Sequence, residues 1–178
     1  MLLTLLLTAA IIAALSSVFI ITASLQTGVV PMPSLPSERR LVLEILGNYK
    51  DIKNITDLGS GWGGLARSIS RRYPGKRVTA VEYSFVPHFF SKLISGLSGG
   101  PVTINSMADI FTTTLDDNAA YITYLSGSSM KKLRASFERD QPGNGVLISI
   151  AFRMPGWTET RVEHAGGTLR TPVYIYEF

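Results

Sequence analysis

Four glycines fall within six residues at 59–64, in the run Thr56-Asp57-Leu58-Gly59-Ser60-Gly61-Trp62-Gly63-Gly64, and an acid stands two positions before the first of them. Such a backbone turns sharply and lets a ligand approach its peptide N–H groups, so Gly59, Ser60, Gly61 and Gly63 are candidate binding positions. A second acid, Glu82, closes the apolar run that begins at Arg77, 21 residues after Gly61, and is followed by Tyr83. In nucleotide-binding α/β folds an acid at that place accepts hydrogen bonds from ribose hydroxyls. Two plainer readings stand beside these: Asp57 as an acid bonded to the loop's own amides, and Glu82 as an exposed charge at a strand end.

Residues 59–64 also satisfy G-x-G-x-x-G, the dinucleotide fingerprint, which is a weak signal when it stands alone. Charge separates the ligand classes. A dinucleotide brings a pyrophosphate to this turn, whereas S-adenosylmethionine brings an ammonium, a sulfonium and a carboxylate. A like-charge contact at low dielectric costs on the order of several kcal/mol, so Asp57 suits the cationic ligand and repels pyrophosphate.

The elements that must position these groups alternate between short apolar strands and helical stretches, the pattern of a doubly wound, Rossmann-like α/β sheet. Expected strands are Ile55–Leu58, Arg77–Glu82, Val102–Asn105, Ala120–Leu125 and Val146–Phe152. Expected helices are Glu38–Tyr49, capped by Ser37, then Leu65–Tyr73, Phe85–Leu97 with Pro87 in its first turn, and Met130–Arg139. An antiparallel hairpin, Thr160–His164 and Val173–Tyr176, closes the chain across Ala165-Gly166-Gly167.

The 178 residues, 46% hydrophobic and 17% charged, provide for one such domain, expected over 38–178. Before it, nothing charged occurs from Leu2 through Ser37. Residues 1–25 form an apolar stretch that, as a helix, rises about 37 Å and exceeds the roughly 30 Å hydrocarbon core, so a transmembrane anchor is expected. A cleaved signal peptide is the competing reading, against which stand the length of the segment and its lack of Lys or Arg. Residues 26–37, with prolines at 31, 33 and 36, suit an extended connector. All 17 basic residues follow the anchor, which favours a single-pass membrane protein with its domain in the cytoplasm. The net charge of +4 is spread over short clusters such as Arg71-Arg72 and Lys131-Lys132, so no nucleic-acid partner is expected. With no cysteine, and with His88 and His164 outside any metal spacing, no metal is expected either.

The runs from Asp57 to Gly63 and from Val81 to Ser84 resemble the first two motifs of class I S-adenosylmethionine-dependent methyltransferases, over residues 38–178. The resemblance implies that S-adenosylmethionine is the cofactor and S-adenosylhomocysteine the product. It implies that Asp109, after the third strand, contacts the adenine amino group, although Asp109 also reads as the cap of a following helix. The chain is further similar to membrane-anchored protein-lysine methyltransferases that act on an ATP-synthase c-subunit and an adenine-nucleotide carrier, and to their small bacterial relatives. The matching residues are the anchor, Val30–Ser34, the glycine loop, Tyr124-Leu125, Ala151–Trp157 and Thr171–Tyr176. Trp62 and Gly64 depart from that group, which has an acid and a basic residue there.

This resemblance implies methyl transfer to a protein lysine on a membrane protein, by in-line displacement that needs alignment and exclusion of water. No catalytic residue is assigned. Tyr124 is the candidate for the acceptor channel, and a half-buried strand tyrosine is its plainer reading. Trp62 either covers the cofactor or packs beneath the loop, and Trp157 is expected at a turn. The alternative function is a nucleotide- or NAD-binding membrane oxidoreductase, and a third reading is an interaction domain without catalysis.

Overall fold

The computed structural model describes Thr4, Leu7, Thr8 and residues 33–97 and 103–178. Apart from those first three residues, the expected anchor over 1–25 lies outside the described residues, as does the connector up to residue 32. Among the described residues no helix is long and apolar enough to cross a membrane. Met32–Phe178 forms one compact unit.

In chain order its elements are α1 (Pro36–Leu46), β1 (Asn54–Leu58), α2 (Gly64–Arg72), β2 (Arg77–Val81), α3 (Phe85–Leu97), β3 (Thr103–Ser106), β4 (Ala119–Thr123), α4 (Gly127–Asp140), β5 (Val146–Ile150), β6 (Arg161–His164) and β7 (Pro172–Glu177). They build one seven-stranded sheet in the order β3-β2-β1-β4-β5-β7-β6. The first five strands are parallel, and β7 pairs antiparallel with both β5 and β6. The expected C-terminal hairpin is therefore a continuation of the main sheet. Successive strands step outward from β1 to β3 and then return to β4, so the direction of winding reverses between β1 and β4. A crevice opens beyond the strand ends at such a switch point.

Two apolar layers sandwich the sheet. One joins Val42, Ile45 and Leu46 of α1 and Leu65, Ala66 and Ile69 of α2 to Ile55, Ala120, Ile122, Ile148 and Ile175. The other joins Met130, Leu133 and Phe137 of α4 to Leu58, Val81, Tyr121, Leu147 and Tyr176. All five residues of β4 and of β5 are buried, as central parallel strands covered on both faces must be.

Several boundaries differ from the sequence-based expectation for local reasons. Helix α1 starts at Pro36, with Leu35 rather than Ser37 at the cap; proline at the first helical position needs no N–H partner, and Glu38 Oε2 accepts the Leu35 N–H at 2.7 Å. Strand β4 ends at Thr123 because its neighbour β1 ends at the paired Leu58 and then turns into Gly59, at φ 80°. Strand β5 ends at Ile150 because Ala151 takes φ 68°, outside the extended region. Helix α4 begins at Gly127, three residues early, where the Ser126 hydroxyl accepts the Ser129 N–H at 3.4 Å.

Trp157 does sit at a turn, and it joins an aromatic cluster that fastens the last strands to α4. The Phe137 ring meets Tyr121, Trp157 and Phe178 edge-on at centroid distances of 5.5, 5.4 and 5.5 Å. Truncating Phe137 removes all three contacts from a buried position. Phe137→Ala is expected to lower the unfolding free energy by roughly 3–5 kcal/mol, measured by urea denaturation, whereas His164→Ala on the exposed face of β6 should change it by less than about 0.5 kcal/mol.

Candidate functional site

The glycine loop crosses the carboxyl end of β1, and its amides are already engaged. The N–H groups of Gly59 and Ser60 both donate to the Val81 carbonyl, at 2.9 and 3.0 Å, and the Gly63 N–H donates to the Ser60 carbonyl at 2.8 Å. The Gly61 N–H donates to Glu82 Oε2 at 2.8 Å, while Glu82 Oε1 accepts the Ser84 N–H at 2.8 Å. Glu82 is thus half-buried beside the loop, where it was expected, with its carboxylate drawn onto backbone amides.

Two glycines are required here. Gly63 has φ 71°, and a Cβ on it would lie 2.0 Å from Ser91 Oγ on α3, so glycine alone permits that approach. Gly61 has φ 52°, and a Cβ on it would meet nothing within 4 Å, so its backbone faces open space. A ligand can reach the loop on that side.

Asp57, 4% exposed, points from β1 toward α2. The Ala66 N–H in the first turn of that helix favours its ionised form, while its Oδ2 is buried with no partner in the protein. Burial, followed by the nearby Glu82 charge, raises its pKa from 3.8 to about 7 against the opposing effect of the Ala66 hydrogen bond.

The remaining candidates lie along the same edge. Tyr83 is exposed after β2. Asp109 follows β3, and its Oδ1 accepts the Phe111 N–H at 2.9 Å at the start of a turn over 110–113, where no helix follows. Tyr124 follows β4 and packs half-buried on the α1–α2 side of the sheet, the side that Asp57 also faces. Burial, and secondarily the charge of Glu38, raises the pKa of its hydroxyl. Trp62 is 38% exposed and meets Phe90 of α3 at 5.7 Å. Among the described residues no group of three acids or histidines is placed to hold a metal.

Glu38 is the group that sequence reasoning missed. It is 1% exposed, its Oε2 caps α1, and its Oε1 is buried without a partner. Its place at the third position of the helix, in capping-box register, was the available signal. A cleft of about 540 Å³ opens at the start of α1, between Leu35, Ser37 and Arg40 on one side and Gly167, Leu169 and Thr171 before β7 on the other. Ile150 pairs with Val173, which puts that turn at the carboxyl edge of the sheet, the edge that carries the glycine loop.

No family model matches the chain, and no curated protein does. Solved structures do. An RNA methyltransferase from Salinibacter ruber, in complex with S-adenosyl-L-homocysteine, matches at TM-score 0.71 and 20% identity over 82% of this chain and 93% of that one. A precorrin-6y methyltransferase from Geobacter metallireducens matches at 0.61 and 17%, over 82% and 88%. A magnesium protoporphyrin IX methyltransferase from Synechocystis, with bound S-adenosylmethionine, matches at 0.56 and 12%, over 78% of each chain. At these identities the likeness shows that the chain shares the α/β fold of these methyltransferases.

The state of Asp57 has a measurable sign. In the folded chain the carboxyl keeps its proton up to about pH 7, whereas the unfolded chain releases it near 3.8, so the native state binds more protons between these values. Stability contributed by this group therefore falls as pH rises through that window, by at most roughly 1.4 kcal/mol per pH unit. Asp57→Asn is expected to flatten the decline between pH 4 and 7 relative to the parent, and to be the more stable chain at pH 8, in denaturant titrations across that range.

Proposed function

We propose that this chain is an S-adenosylmethionine-dependent methyltransferase held at a membrane, acting on a protein side chain, a lysine, close to the bilayer surface. The observation that carries the cofactor assignment is the occupancy of the loop. A pyrophosphate needs free amides, but those of Gly59, Ser60, Gly61 and Gly63 are taken, one of them by the Glu82 carboxylate. The Asp57 carboxyl, which ionises near pH 7, adds a buried oxygen, Oδ2, without a protein partner. Such a site suits a ligand with a positive end and hydroxyls to donate, and it disfavours the dinucleotide of the alternative, an oxidoreductase.

The residues fit the cofactor. Asp57 would face the ammonium, the backbone at Gly59, Ser60, Gly61 and Gly63 would line its amino-acid end, Glu82 would accept from the ribose hydroxyls, and Tyr83 and Asp109 would flank the adenine. Bound there, S-adenosylmethionine supplies an activated methyl group that needs no metal. The chain's own residues align the acceptor and exclude water. A lysine must arrive neutral at nitrogen, and burial beside Tyr124 favours the uncharged amine.

Support for the membrane comes from the uncharged first 37 residues and from the length of the connector. Its dozen residues extend at most about 43 Å, which holds the domain near the bilayer. The basic residues that follow favour the cytoplasmic side.

Calorimetric titration is expected to show S-adenosylmethionine binding and no NAD binding; tight NAD binding would overturn the assignment. Because a cationic ligand favours ionised Asp57, affinity should rise as pH increases through about 7, with proton release on binding below it. Asp57→Asn should abolish that pH dependence, and Glu82→Gln should weaken binding by roughly 10- to 150-fold, the equivalent of about 1.5–3 kcal/mol. For the acceptor, incubation of membranes and cytosol with radioactive S-adenosylmethionine should place enzyme-dependent label on membrane proteins. Label confined to soluble proteins, lipids or small molecules would reject the acceptor class and leave the cofactor assignment standing.

A further inference from the structure

Helix α3 is turned inside out. Its inward positions hold small residues, Pro87 and Ser91 buried and Ser95 half-buried, while its outward face carries Phe85, Phe89, Phe90, Leu93 and Leu97, between 44% and 78% exposed. A helix on a globular surface places its large apolar side chains against the core. Here the core side is held instead by Ser91, whose hydroxyl donates to Asn105 Oδ1 at 2.8 Å and stands where a Cβ on Gly63 would be. A larger residue at 91 would push the helix off the glycine loop. The apolar face extends onto that loop, since Trp62 meets Phe90 at 5.7 Å, Phe90 meets Phe89 at 6.0 Å and Phe89 meets Phe85 at 6.2 Å. A contiguous patch of this kind on a surface marks something that covers it.

We propose that the outward face of α3, with Trp62, lies in the interfacial layer of a lipid bilayer and sets the mouth of the glycine-loop crevice at the membrane surface. The chemistry of the patch selects this occupant. From Tyr83 to Ala108 the sequence contains no acidic residue, and its charged side chain, Lys92, is exposed with a stem long enough to lie along the patch and keep its ammonium among anionic headgroups. The 13 residues of α3 span about 20 Å, too short to cross the bilayer but suited to lying in its plane. The uncharged residues before Glu38 add a second apolar element joined to the same compact unit, which begins at Met32. The inference rests on the membrane part of the proposed function and is independent of which cofactor binds.

The chain has no cysteine, so single labels can be placed without removing any. Full-length protein carrying a nitroxide at Phe89→Cys, Leu93→Cys or Lys131→Cys, the last on the exposed side of α4, would be reconstituted into phosphatidylcholine–phosphatidylglycerol vesicles. Collision with oxygen, which concentrates in lipid, would be compared with collision with a water-soluble nickel chelate. Labels at 89 and 93 are expected to favour oxygen over nickel by several-fold, and the label at 131 to show the reverse. Nickel access at 89 and 93 equal to that at 131 would overturn the proposal, because the face would then be in water. Protection from both collision partners would also overturn it, in favour of cover by protein: residues 1–31 or a second copy. A chain that fails to enter the vesicles at all would overturn both this inference and the membrane part of the proposed function, while calorimetric titration of the same labelled chains with S-adenosylmethionine reports on the cofactor site separately.

Discussion

The carboxyl group of Asp57, buried at the end of β1 and facing the first turn of α2, is the constraint on which the rest of the site depends. A carboxylate taken from water into an apolar layer costs several kcal/mol unless its environment compensates, and a single backbone N–H compensates only in part. The position is tolerable because the amide end of α2 carries positive potential and because the proton is retained up to near neutrality. Neither condition holds unless β1 and α2 meet across a turn as tight as the glycine loop. The loop conformation, the left-handed Gly63 that starts α2, and the protonation of Asp57 are therefore one arrangement seen from three sides.

Glu82 closes this arrangement from β2. By accepting the Gly61 N–H and leaving Gly59 and Ser60 to the Val81 carbonyl, the end of β2 binds the loop as a ligand would. The loop therefore has a defined shape without an external anion. Its residual demand is electrostatic, an unpartnered carboxyl oxygen deep in the site, which is a demand for a cation or a hydrogen-bond donor.

The alternation of strand and helix, the strand positions and the glycine loop were legible because each leaves a local signature: period, turn residues, and an acid at the end of an apolar run. Asp57 and Glu82 stood out by residue type, charge and their places beside the loop and at a strand end. What escaped was whatever depends on partners distant in sequence. Strand β4 stops at Thr123 because of where β1 stops, and Glu38 is buried because helix α1 lies on the sheet beside Tyr124; neither fact is encoded within a window of ten residues. The orientation of α3 escaped for a sharper reason. Periodicity divides a helix into an apolar and a polar stripe but does not say which faces inward, and the usual assumption gives the wrong answer when a serine is what fits beside the glycine loop.

That inversion ties the site to the surface. Ser91 is small because Gly63, which starts α2 in a left-handed conformation, approaches it. Large residues excluded from the inner face of α3 are thereby free to accumulate on the outer one, at no cost to packing against the loop. The only penalty is their exposure, roughly 25 cal/mol for each Å² of apolar surface left in water, which vanishes when an apolar medium covers them. Under the proposed reading, the domain then needs little selectivity of its own: holding the crevice at the bilayer raises the effective concentration of acceptors that share the surface and leaves remote soluble ones at a disadvantage.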